Sequence, residues 1–136
     1  MTKEKIVAST SMELFYQPED SILIVRFHGF LKPAEAFKDR LLLNDTIRQK
    51  KIQLLVINQR DIKVLSSEMQ SFIVKTASEM VKHGIKKIAT VLPEDVFALA
   101  GVSKIQNEFH TPGIEIANFA SEESGVNWLC GRFYVL

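Results

Sequence analysis

Two short apolar runs constrain this chain more than any other feature. Ile52-Gln53-Leu54-Leu55-Val56-Ile57 is almost wholly apolar, and Ile85 to Leu92 is a second buried run. A strand that is apolar at successive positions buries both of its faces, as happens when helices cover a parallel sheet above and below. The segments around these runs carry helical period, as that arrangement demands. Pro33 opens a stretch from Ala34 through Leu43 to Ile47, and basic Arg48, Lys50 and Lys51 at its far end suit the helix dipole. Met69, Phe72, Ile73, Thr76 and Met80 recur at steps of three and four, which predicts an amphipathic helix from about Ser67 to His83, closed by Gly84. Pro93-Glu94-Asp95 starts a third helix carrying Phe97, Ala98, Leu99, Val102, Ile105 and Phe109. Thr111-Pro112-Gly113 then turns the chain into a strand from Ile114 to Phe119, and Ser121-Glu122-Glu123 caps a last helix through Trp128-Leu129.

Upstream of this alternation, Met12 to Tyr16 and Ile22 to Phe27 are β-rich runs separated by Gln17-Pro18-Glu19-Asp20-Ser21, the composition of a hairpin turn. Met1 to Ser11 shows no sustained period and reads as a loose arm. The expected fold is α/β, a mostly parallel sheet with an antiparallel edge hairpin in the order β-β-α-β-α-β-α-β-α. Residues 1–11 form a flexible arm and residues 12–136 one domain. A chain of 136 residues is long enough to bury roughly 70% of its unfolded surface, so it needs neither disulfides nor a structural metal.

Composition narrows function by exclusion. With 17 Lys+Arg against 16 Asp+Glu, net charge +1, there is no field to draw in nucleic acid. No apolar run approaches the about 20 residues of a membrane span, and the first residues lack the apolar core of an export signal. Thr2 excludes myristoylation. The single Cys130 fits a reducing compartment, so a cytoplasmic protein without membrane insertion is expected.

No catalytic or metal-binding constellation stands out. His28, His83 and His110 are far apart, with no ligand pair at metal spacing, and His83 beside Gly84 suits a helix end. Cys130 next to Trp128-Leu129 reads as a small core residue. The glycines are isolated, so neither phosphate-loop pattern can be written. The basic clusters Arg48-Gln49-Lys50-Lys51 and Lys82-His83 with Lys86-Lys87 fall at helix ends, where the dipole accounts for them. No cofactor is expected, and no enzyme, although Arg60, Asp61 and Glu68 could share a site.

In open α/β sheets, partners and ligands meet the loops at the carboxyl ends of strands. The segment from Asn58 through Arg60 and Asp61 to Ser66, Ser67 and Glu68 is the most suggestive of these. It is polar at its start, follows the most apolar strand and ends at a helix N-terminus, where backbone N–H groups favour an anion. Ser67 with Gln70 three residues on also fits a capping box, a purely structural use of a hydroxyl.

The order of elements, with Leu54-Leu55-Val56-Ile57-Asn58 leading to Val64-Leu65-Ser66-Ser67-Glu68-Met69, resembles the STAS domain of anti-sigma-factor antagonists. The SpoIIAA-like branch of small bacterial proteins is closer still, through His83-Gly84-Ile85-Lys86-Lys87-Ile88-Ala89, Pro93-Glu94-Asp95-Val96-Phe97 and Phe119-Ala120-Ser121-Glu122-Glu123 leading to Trp128-Leu129. The likeness spans about Met12 to Leu129. It implies a non-enzymatic signalling domain that binds another protein or a second copy of itself. Ser66 stands where that family carries its phosphorylated serine, but Leu65 replaces the family's Asp and Glu68 its Gly. Asn58, Arg60, Asp61, Ser66, Ser67 and Glu68 are therefore the candidate phospho-acceptor or partner-binding set. Related folds include lipid carriers, which makes a small apolar ligand the alternative. Phe97, Val102 and Ile105 on the third helix are the candidate ligand or dimer contacts.

Overall fold

The computed structural model describes residues 3–108 and 113–131. Phe109 and His110, with the turn expected at Thr111-Pro112, lie outside the described residues. The elements are β1 (Glu4–Ala8), β2 (Met12–Gln17), β3 (Ile22–Gly29), α1 (Pro33–Lys50), β4 (Leu54–Ile62), α2 (Ser67–Lys82), β5 (Lys87–Val91), α3 (Val96–Glu108), β6 (Glu115–Phe119) and α4 (Glu122–Leu129). The six strands among the described residues form one sheet in chain order. β1 with β2 and β2 with β3 are antiparallel, whereas β3, β4, β5 and β6 pair in parallel. The α/β class and the central place of β4 agree with the sequence.

Two readings of the sequence are corrected. The loose arm is an edge strand over residues 4–8, paired with β2 through a register shift between Lys5 and Val7. Half-buried Ile6 packs on the core, so the antiparallel side holds three strands where two were expected. A short, charged and bulged strand is what a sheet edge tolerates, and that composition hides it from periodicity. The second correction concerns β4, which continues through Asn58, Gln59, Arg60 and Asp61 to Ile62 instead of giving way to a loop. Its outer half follows β3 across another shift, between Arg26 and His28, with His28 opposite Asp61 and Gly29 opposite Ile62.

Alternation along the strands sorts the core into two faces. On one, Met12, Leu14, Leu23, Val25, Leu55 and Ile88 pack with Leu43 and Ile47 of α1 and Met80 of α2. On the other, Ile22, Ile24, Val56 and Ala89 meet Val126 and Leu129 of α4. Each such side chain contributes about 1.5–3 kcal/mol of burial, which is why the two apolar runs dictate the layers. A third cluster joins Ile62, Leu65 and Met69 to Ala98, Val102 and Ile105, seating α3 beside the start of α2. α4 lies close to the sheet because Gly125 has no side chain; a Cβ there would sit 3.0 Å from that of Ala89. No described helix is long and apolar enough to cross a membrane.

Candidate functional site

The carboxyl end of β4 divides the predicted set between the two faces of the sheet. Ser66 is the N-cap of α2, with extended backbone and an Oγ that accepts from the Met69 N–H at 3.1 Å. The N-cap is therefore one residue earlier than expected, and the capping box of Ser67 with Gln70 does not form. Met69 at the third helical position is buried in the core, and Gln70 donates to the Leu65 carbonyl oxygen at 3.2 Å. Ser66, Ser67 and Glu68 are exposed together in the first turn of α2.

Asn58 and Arg60 turn instead towards α4. Asn58 Nδ2 donates to Glu122 Oε2 at 2.6 Å, and the same carboxylate takes a two-pronged ion pair from Arg26, Nε at 2.7 Å and Nη2 at 2.9 Å. Lys3 Nζ stands 3.4 Å from Glu122 Oε1. Burial alone would raise the Glu122 carboxyl, whose side chain is 14% exposed, but the bonds from Arg26 and Asn58 outweigh it and hold the pKa at about 2. A carboxylate so thoroughly paired joins β3, β4 and α4; it has no spare acceptor for proton transfer. Arg60 donates to the Ala120 carbonyl oxygen and lies 3.7 Å from Glu94, adding a second tie between the same loops.

Asp61 is on neither of these clusters. It is exposed, 3.7 Å from His28 Nδ1, while His28 Nε2 is 2.8 Å from Glu13 Oε1 and Lys5 Nζ is 3.2 Å from Glu13 Oε2. His28 and Lys5 together hold the Glu13 carboxyl below the usual range. Sequence reasoning missed Arg26 and Glu122 as a pair. The signal for Arg26 was a lone cation inside an otherwise apolar strand, but nothing local connects it to a helix-capping acid 96 residues away.

The apolar candidates on α3 also separate. Val102 and Ile105 are buried against Ile62, Leu65 and Met69, and Gly101 abuts Leu65, so this side of α3 is core and not an open ligand surface. Phe97 points outward at 72% exposed, beside Val96 at 75%. Asp95 caps this end, its Oδ1 accepting from the Phe97 and Ala98 N–H groups at 3.0 and 2.9 Å. Val64, next to Leu65, is exposed as well. The start of α2 and the start of α3 are both exposed, and the Leu65–Gly101 contact joins the two helices.

A cavity of about 90 Å³ lies between α1, α2 and the sheet, with Phe27, Ile57, Met69 and Ile73 among its walls and Gln59 of β4 on its floor. Among the described residues no group of three or more His, Cys, Asp or Glu side chains could hold a metal ion. His83 caps α2, as its place beside Gly84 implies, and Cys130, half-buried, packs on the α4 face of the core. Compared with protein-family models and with curated proteins, the chain matches no family and no relative.

Proposed function

We propose that this chain is a non-enzymatic regulatory domain, of the STAS type that its sequence resembles, which docks a protein partner through the rim made by the starts of α2 and α3. The observation that carries the reading is the exposure of Val64 next to the polar turn Ser66-Ser67-Glu68, together with that of Val96 and Phe97 on the helix packed against it. Large apolar side chains at a polar-rimmed patch are a feature of protein contacts. Arg60 and Asn58 serve the rim from behind, by fixing the end of β4 against α4.

Phosphorylation of Ser66 is the natural switch for such a rim. A phosphoryl group on the N-cap would lie at the amino end of α2, which favours added negative charge, while Glu68 in the same turn opposes it. Modification would also take the hydroxyl that now accepts from the Met69 N–H, so it alters both charge and helix start.

Cross-linking of the native protein in lysate, followed by mass spectrometry, tests the reading. A partner should cross-link near Lys63, and Val64→Asp with Phe97→Asp should lower its recovery at least about tenfold with the circular dichroism spectrum unchanged. Undiminished recovery from that variant would sink the proposal. A second copy of the chain as partner shows as a dimer by sizing chromatography with light scattering, lost in the same variant. Native protein carrying no phosphate on Ser66 under any growth condition removes the switch but leaves the docking rim.

A further inference from the structure

We infer that the outward face of α1 is a self-association surface, on which a second copy of this chain docks its own α1 in antiparallel register. This face is distinct from the rim, which belongs to α2 and α3. The first observation is an inversion along α1. Its buried residues include Asp39, Asn44 and Thr46, whereas Phe37 and Leu41 are each 48% exposed. Polar links hold the helix that way round: Asp39 Oδ2 accepts from Ser11 Oγ at 2.8 Å, and Asn44 Nδ2 donates to Glu79 Oε2 at 3.0 Å. Rolling the helix to bury Phe37 and Leu41 would pull both links apart and strand their buried polar groups. The two apolar side chains are therefore fixed outward.

The second observation is the charge that surrounds them. At helical spacing, Ala34, Leu41, Asp45 and Arg48 fall within an arc of about 60°, with Phe37 on one flank and Lys38 on the other. All six are exposed. Ala34, Leu41 and Arg48 follow the seven-residue repeat of a helix–helix seam, and Lys38 and Asp45 hold the flanking position that carries interhelical ion pairs. Lys38 and Arg48 are balanced by Asp45 and Glu35, so the face offers no field to nucleic acid or an anionic membrane. It is complementary to itself. Lys38 and Asp45 are equally far from the midpoint of Leu41 and Leu42, so an antiparallel pairing about that midpoint sets Lys38 of each copy level with Asp45 of the other. The two-fold axis keeps residues of one flank together, which makes these contacts two equivalent ion pairs. Asp45 already accepts from Arg48 of its own helix at 2.6 Å, and its carboxylate has room for a second donor. Leu41 meets Leu41 at the centre. On the other flank, Arg48 of one copy comes within reach of Phe37 of the other, a ring that already takes one guanidinium, that of Arg40 at 5.2 Å. A parallel pairing would instead face Arg48 with Arg48.

Size sets the class of association. The seam runs about 21 Å from Ala34 to Arg48. A contact of that length belongs with small, transient interfaces, and it gives an equilibrium between monomer and dimer in place of an obligate pair.

The test is sedimentation velocity of the full chain from about 1 μM to about 1 mM, the span in which weak interfaces associate. The parent, 15.4 kDa as a monomer, should move towards twice that mass as concentration rises. Leu41→Glu, which brings two like charges together at the centre, should weaken association at least about tenfold. Lys38→Glu places like charges at both ion pairs and should weaken it about fivefold. Adding Asp45→Lys to Lys38→Glu exchanges the two signs and should restore the parent's affinity. Val64→Asp with Phe97→Asp should leave the dimer as in the parent, which separates this face from the rim. A parent that stays monomeric at about 1 mM, undiminished association of Leu41→Glu, a charge exchange that restores nothing, or a dimer lost on changing Val64 and Phe97 would overturn the inference. The circular dichroism spectrum checks that each variant is folded; should Leu41→Glu not fold, the charge exchange decides alone.

Discussion

Glu122 shows most plainly how one side chain ties distant parts of this chain together. Its carboxylate accepts from Arg26 on β3 and Asn58 on β4 while standing in the first turn of α4, so three elements share one charge. Glu122→Gln keeps the shape and removes the charge, and should cost about 1.5–3 kcal/mol at neutral pH, the usual range for hydrogen bonds to an ionised group. The sign of the pH dependence follows from a folded pKa of about 2 against an ordinary 4.5. A depressed carboxyl stabilises the fold fully above its unfolded pKa and loses that contribution as pH falls through the folded one. The gap in melting temperature between parent and Glu122→Gln should therefore be widest near neutrality and narrow between pH 4.5 and about 2; a gap independent of pH would show that the charge is not what matters. Glu122 was legible in the sequence as a helix-capping acid, but Arg26 and its pairing with Glu122 were not, because that contact is created by folding. Ser66 illustrates the same limit at shorter range. A hydroxyl at the start of α2 was readable, but the choice between Ser66 and Ser67 depended on where β4 ends and the chain bends.

At the scale of elements, apolar pattern carried the reading wherever burial was two-sided. The inner half of β4, β5, α2 and α4 lie where their residues imply, because layers above and below leave few alternatives. The outer half of β4 did not, since Asn58, Gln59, Arg60 and Asp61 owe their extended state to pairing with β3 and not to their own preferences. These candidates were therefore legible as a segment, but not as the continuation of a strand. β1 is the clearest case of tertiary override. Its five residues pair with β2 along one edge, where charged Glu4 and Lys5 discourage further strands. Amide hydrogen exchange separates a strand from an arm directly. Ladder amides of residues 4–8 should exchange at least about tenfold more slowly than an unstructured chain, whereas a loose arm would give no protection. Ile6→Asp, by placing a charge against the core, should abolish that protection while β3 and β4 keep theirs.

The whole molecule is asymmetric about its sheet. On the α4 side the helix sits so close that a methyl group on Gly125 would lie 3.0 Å from the Ala89 Cβ, which must then give way by a few tenths of an ångström. On the α1 and α2 side the layer is held partly by polar links, Asp39 to Ser11 and Asn44 to Glu79, and leaves the cavity of about 90 Å³. Added carbon should therefore have opposite effects on the two faces. Gly125→Ala gains about 1 kcal/mol of helix propensity but meets an overpacking cost of about 1–3 kcal/mol, so its net effect is destabilising. Ala77→Leu, from α2 into the cavity, loses almost no propensity. It should stabilise by about 1–2 kcal/mol, since each buried methylene contributes about 0.8 kcal/mol and part of that is spent in fitting a fixed space. Urea denaturation of the two variants, compared at unchanged slope, reads both signs in one experiment. If Ala77→Leu destabilised as well, the α1 and α2 layer would be as tightly packed as the other.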